Sequence, residues 1–290
     1  MNENEVKALI SLLDDDDNEV VTIVETQILN LGRAVIPVLE DAWSQSFDPL
    51  KQQRIISIIH KLQHDDLLSS LEEWKKNPDD LLEGAIIVAR HQYPDLEEDK
   101  IQSQINQIKR DIWLEINDNL TAYEKVKVIN RVLFDMHQFK GNTANYHLPG
   151  NSYINIVLET KKGNPLLLSL LYIQLAKQLD LPIYGVNLPE HFILAYVDEM
   201  NILREAFNDS STRILFYINP FSRGVVFGRS EIDQFLDKLK MEHEKAYYEP
   251  CSNIDMISRL IRNLIFSYQK IGDTEKENEL EEMLKVLSTK

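Results

Sequence analysis

The chain has 290 residues, 43% of them hydrophobic, and 31 Lys and Arg against 47 Asp and Glu, a formal charge of −16. Such a length and apolar content allow a sizeable core spread over about two domains, while the charge repels phosphate backbones and anionic lipid, so neither nucleic acid nor a membrane is an expected partner. No apolar run approaches the roughly 20 residues that span a bilayer, and Met1-Asn2-Glu3-Asn4-Glu5 is unlike the basic start of a signal peptide, so a cytoplasmic location is expected. A single cysteine, Cys251, excludes a disulfide framework and a multi-cysteine metal site.

Residues 1–120 read as a helical region. Val6, Leu9, Ile10, Leu12 and Leu13, then Val20, Ile23, Val24, Ile28 and Leu29, then Ala34, Val35, Val38 and Leu39 recur at helical spacing. Ile36-Pro37-Val38-Leu39 after Leu31-Gly32 has the form of the second helix of a HEAT-type pair, in a single copy. Asp14 to Asp17 lacks the alternating ligands, turn glycine and terminal Glu of a calcium loop, and reads as a solvated turn between helices. His60 and His64 share a helix face but have neither the Glu nor the third ligand of a zinc protease, so no metal site is expected there. The turn residues of Gln138 to Gly150 mark the entry to the next region, with a boundary near 95 to 120 as the alternative.

Residues 121–245 read as an α+β core. Leu166 to Leu179 is apolar on nearly every side, which places that helix inside a core. Asn164 caps it, and Pro165 suits the first helical position, where no N–H is needed. Ile183 to Val186, His191 to Val197 and Arg213 to Ile218 read as strands of an antiparallel sheet. Residues 246–290 read as a helical hairpin: Ile254, Ile257, Ile261, Leu264, Ile265 and Tyr268 form one face, Gly272-Asp273 turns the chain, and Leu280, Met283, Leu284 and Leu287 form the other. The hairpin resembles one tetratricopeptide-type unit, and a lone unit docks on a core more readily than it builds a groove.

Asn151-Ser152-Tyr153-Ile154-Asn155 with Val157-Leu158, the run Gly163 to Tyr172, Leu188 to Phe192, and Ile218-Asn219-Pro220-Phe221 with Gly224 resemble the transglutaminase-like "core two" family. That family comprises the SirB-type bacterial proteins and a matching domain of a eukaryotic F-box protein. The resemblance covers about 130 to 240, and Arg259 to Leu264 resembles the tail those proteins carry. It implies a papain-like core in which active members open the central helix with a nucleophilic Cys, its thiolate favoured by the helix dipole and a neighbouring His. Here Pro165 stands in the place of that Cys. His191 stands where the site His belongs, and Asn219 where an Asp would orient it. An Asn can hold an imidazole, but a Pro cannot attack a carbonyl.

Two residues are candidate replacements for the nucleophile. Ser169 lies one turn beyond Pro165, so its hydroxyl either approaches His191 or bonds back to a carbonyl in a tightly packed helix. Cys251, after Pro250, reads as an inert thiol. Asn151, Tyr153, Asn155, Tyr172 and Glu190 are candidate binding residues around the former site, with capping and packing as their structural alternative. Two functions follow. One is a non-catalytic module that binds a protein or peptide; the other is a hydrolase or acyl-transferase using Ser169, His191 and Asn219. Neither needs a cofactor, and both place His191 and Asn219 within hydrogen-bond reach.

Overall fold

A computed structural model describes residues 3–198 and 214–289, so Arg213, the expected first residue of a strand, lies outside the described residues. The chain divides into two compact units, Met1–Glu73 and Trp74–Lys290.

The first unit is built from α1 (Glu3–Ser11), α2 (Asn18–Leu29), α3 (Ile36–Gln45) and α4 (Pro49–Lys76), in whose last turns the division falls. Most of the periodic residues meet in one core, where Leu13, Ile28, Leu39 and Ile55 are fully buried among Val6, Ile10, Val24 and Ile58, whereas Leu12, Ile23 and Ala34 are exposed. The acidic run is a turn and a cap. Asp17 accepts the Glu19 N–H at 2.8 Å, Asp15 accepts the Asp17 N–H at 2.8 Å, and Asp14 pairs with Lys51 at 3.1 Å. The Asp15 and Asp17 carboxylates satisfy N–H groups that the start of α2 leaves without helical partners.

In the second unit α5 (Leu81–Arg90), α6 (Glu98–Trp113), α7 (Ala122–Asn130) and α8 (Ile154–Thr160) precede a central helix, α9 (Pro165–Lys177). Two-residue strands β1 (Lys140–Gly141) and β2 (Lys162–Gly163) pair in parallel just before α9. An antiparallel sheet follows in the order β3 (Ile183–Val186), β4 (Ile193–Val197), β5 (Ile214–Asn219) and β6 (Val225–Phe227). Then come α10 (Arg229–Leu239), α11 (Asn253–Ile271) and α12 (Thr274–Ser288). This is an α+β fold with one buried helix on a small antiparallel sheet.

Every residue of α9 from Leu166 to Ala176 is buried, as a helix without a polar face must be. It packs on β3 and β4. The amphipathic α10 closes the other face of the sheet, where Ile232 and Leu236 meet Val186, Ile193, Ala195 and Tyr217. The C-terminal hairpin docks on this core through Met256, Ile257, Leu260, Ile261 and Leu264. Ser252 and Asp255 form a reciprocal capping box at its start, and Gly272 in the left-handed conformation ends α11. The compact division at Glu73 differs from the boundary expected near 120: α5 and α6 pack with the sheet-bearing unit. Amphipathic helices look alike in sequence whichever core they cover, which is why their spacing did not separate them.

Candidate functional site

The start of α9 is held by a network of carboxamides. Asn164 accepts the Leu167 N–H at 2.8 Å as the helix cap and donates through Nδ2 to Ser152 Oγ at 2.7 Å. Its own N–H donates to the Asn151 carbonyl at 3.1 Å. Asn151 accepts from Asn142 Nδ2 at 2.8 Å and donates to the carbonyls of Asn145 and Tyr146 at 2.7 and 3.0 Å. Asn151, Ser152 and Asn164 are all buried. Each amide end is paired, so the network stiffens the loop over the helix start instead of offering spare groups.

Within this frame Pro165 brings neither a nucleophile nor an N–H. Ser169 is fully buried, and its hydroxyl donates to the Pro165 carbonyl at 2.7 Å. The Cys251 N–H donates to the Gly185 carbonyl at 2.8 Å, and burial pushes the thiol up to about 12. A thiol so raised is almost entirely protonated at neutral pH.

His191 and Asn219 sit at the same end of the antiparallel β4–β5 pair. Each is engaged elsewhere. His191 is exposed, stacks on Phe235 of α10 at 4.9 Å between ring centroids, and has Nδ1 at 3.0 Å from the Glu190 carbonyl. A carbonyl only accepts, so Nδ1 carries the proton. Glu190 is exposed with φ of 57°, which turns the chain into β4. Asn219 Oδ1 accepts the Ser222 N–H at 3.3 Å and caps the turn Pro220–Ser222. Among the described residues no hydrogen bond joins the two side chains.

That turn is keyed into the core by shape. Phe221 lies over Gly141 so closely that a Cβ on Gly141 would come within 2.5 Å of its ring. Gly224 has φ of +72°, and a Cβ there would stand 1.9 Å from Asn130 Oδ1. Asn130 in turn donates to the Gly224 carbonyl at 2.7 Å and accepts from Tyr172 at 3.2 Å. Tyr172 is fully buried, and burial holds its hydroxyl in the protonated form. Tyr153, also buried, shares a hydrogen bond of 3.0 Å with Tyr268. Asn155 opens onto a different cavity, beside Tyr93.

Arg259 and a set of surface rings are not among the candidates that the sequence offers. Arg259 is half-buried, lies 5.7 Å from the Phe192 ring centre, and donates to Asn187 Oδ1 and to the Leu188 carbonyl at 2.8 Å; burial lowers its pKa. Its place in the Arg259 to Leu264 motif was the available signal. A chain of rings runs along the surface from Phe221 to Tyr146 at 5.9 Å, then His147 at 5.2 Å and Phe266 at 5.2 Å. Tyr146, Leu148 and Phe266 are 40%, 49% and 44% exposed. Phe266 also lines a cavity of about 390 Å³ on the α11–α12 hairpin, with Arg262, Ile265, Leu284 and Lys285. Spacing gave no cue to this ridge, because its members come from separate elements.

Comparison with known proteins matches residues 99–262 to a family model described as the transglutaminase-like superfamily. A UPF0162 protein of Xylella fastidiosa strain Temecula1 is 27% identical over 185 residues, 63% of this chain and 63% of that protein. A UPF0162 protein of strain 9a5c is 32% identical over 129 residues, 44% of this chain and 46% of that one. F-box only protein 21 of Mus musculus is 27% identical over 237 residues, 72% of this chain and 36% of the longer protein. In all three the chain covers less than two thirds of the relative's length. No solved structure matches.

Proposed function

The chain belongs to the transglutaminase-like superfamily, and from that premise we propose that it is a non-catalytic member, a cytoplasmic module that binds a protein or peptide segment. The binding surface lies on the 121–245 core and the 246–290 hairpin. One observation carries this reading: an exposed aromatic ridge, Tyr146, His147 and Phe266, stands beside a helix start that has no nucleophile. Exposed aromatic side chains on a rigid frame offer large contact area at small entropic cost, and contiguous ones mark interaction sites. The Asn151 bonds to the Asn145 and Tyr146 carbonyls provide that frame. The family match to a stretch of a longer relative agrees with a module used in more than one chain context.

The alternative, an acyl-transfer site on Ser169, would need that hydroxyl to leave the Pro165 carbonyl, reach the surface from complete burial and meet a His191 now stacked on Phe235. Assays of the purified chain on glutamine-containing peptides and activated esters are expected to give no turnover. Affinity capture with a panel of peptides is expected to give ligands whose binding falls at least tenfold in Tyr146→Ala with Phe266→Glu, at unchanged melting temperature. Turnover abolished by His191→Ala in a folded protein would overturn the reading in favour of the enzyme.

A further inference from the structure

A cavity of about 460 Å³ opens between α6, α8 and the segment that joins α5 to α6. Its size is that of a small-molecule or side-chain site. It is separate from the start of α9, and its wall contains Tyr93, Asp95, Lys100, Gln104, Asn155 and Glu159.

Three features point to the ligand's chemistry. Asn155 Oδ1 is buried and has no hydrogen-bond partner among the described residues; a buried acceptor in that state calls for an N–H or O–H donor. The charged groups on the wall are Asp95, Glu97 and Glu159 against Lys100, an excess of negative charge that disfavours an anion. Tyr93, Leu96 and Ile101 line the same space and add aromatic and apolar residues to its wall. A cation with N–H donors on an alkyl stem meets all three conditions.

The wall is also held in place. Tyr93 packs edge-on against buried Tyr153, with centroids 5.3 Å apart and planes at 90°. The Tyr153 and Tyr268 hydroxyls are 3.0 Å apart, and Tyr268 donates to Gln92 Oε1 at 3.0 Å. Gln92 and Tyr93 are thus fixed from behind by groups that do not enter the cavity. The Glu159 carboxylate acts on the Tyr93 hydroxyl, which burial and then this charge raise above its ordinary pKa.

We propose that this cavity binds an alkylammonium group. Its N–H bonds donate to the Glu159 carboxylate and, once the Asn155 side chain turns its buried Oδ1 to the cavity, to that oxygen; its charge lies against the Tyr93 ring, and its stem lies along Leu96 and Ile101. The group can belong to a free alkylamine or to the lysine side chain of another protein. Calorimetric titration of the full chain distinguishes them, with 1,5-diaminopentane and Nα-acetyl-lysine methylamide as probes and hexanoate and Nα-acetyl-norleucine methylamide as controls. Saturable binding of at least one ammonium probe is expected, with none of the controls. Tighter binding of the diamine identifies a free amine as the source, and tighter binding of the lysine amide identifies a side chain. Glu159→Gln, at an exposed position, and Asn155→Leu should each weaken the preferred probe by roughly tenfold or more. Absence of saturable binding by both ammonium probes, binding of hexanoate as tight as theirs, or unchanged affinity in Glu159→Gln would overturn the proposal. That last arm stands even where Asn155→Leu does not fold.

Discussion

Asn151 and Asn155 lie four positions apart in one motif, and their surroundings give them opposite roles. The Asn151 amide is paired at both ends, with Asn142 and with the Asn145 and Tyr146 carbonyls, and is buried. The Asn155 oxygen is just as hidden from solvent but has no partner among the described residues, and its residue lines a cavity. The first pattern is that of a group that holds the fold, since breaking it strands several buried polar atoms. The second is that of a group kept for something else, since the fold gains nothing from it. The same contrast separates Ser169, whose hydroxyl is bonded within its own helix, from the exposed aromatic ridge.

The comparison can be broken by substitution. Asn151→Ala should cost the most, about 3 kcal/mol in urea unfolding, because Asn142 and two carbonyls lose their partners together. Gly224→Ala should cost about 2 kcal/mol, from its left-handed backbone and the collision with Asn130. A loss below about 0.5 kcal/mol in either would show that the network does not hold the site. Ser169→Ala should cost about 1 kcal/mol by thermal unfolding and leave peptide binding unchanged, since only a bond within the helix is lost. Asn155→Leu should change stability by less than about 1 kcal/mol, and in the stabilising direction, because an unpaired buried acceptor is replaced by an apolar group of similar size. The smallest effect belongs to His191→Ala: an exposed ring stacked on Phe235 should be worth under about 1 kcal/mol, measured by the same unfolding.

Much of the framework was legible before any coordinates. The unbroken apolar surface of Leu166 to Leu179 required a central helix, and Asn164-Pro165 marked its first turn, because caps and helical faces depend on residues within a few positions. β3, β4 and β5 declared themselves by composition, whereas β6 and the two-residue β1 and β2 did not, and the C-terminal hairpin declared itself by its Gly272-Asp273 turn. The four motifs likewise carried the family and its α+β class. The residues around the helix start were legible as a set, but their individual roles were not. The family resemblance implied that His191 and Asn219 meet within hydrogen-bond reach; they stand at one end of a strand pair, where Phe235 engages the one and Ser222 the other.

The sequence by itself thus determined the central helix and its first turn, three strands of the sheet and the C-terminal hairpin, and which helix is innermost. Tertiary structure alone decided that Asn151 is saturated and Asn155 is not, that Ser169 faces its own helix's carbonyl, and that α5 and α6 join the sheet-bearing unit. The physical reason is range. Periodicity, capping and steric limits act between near neighbours along the chain, whereas the partner of a buried polar atom is set by which distant segments pack beside it.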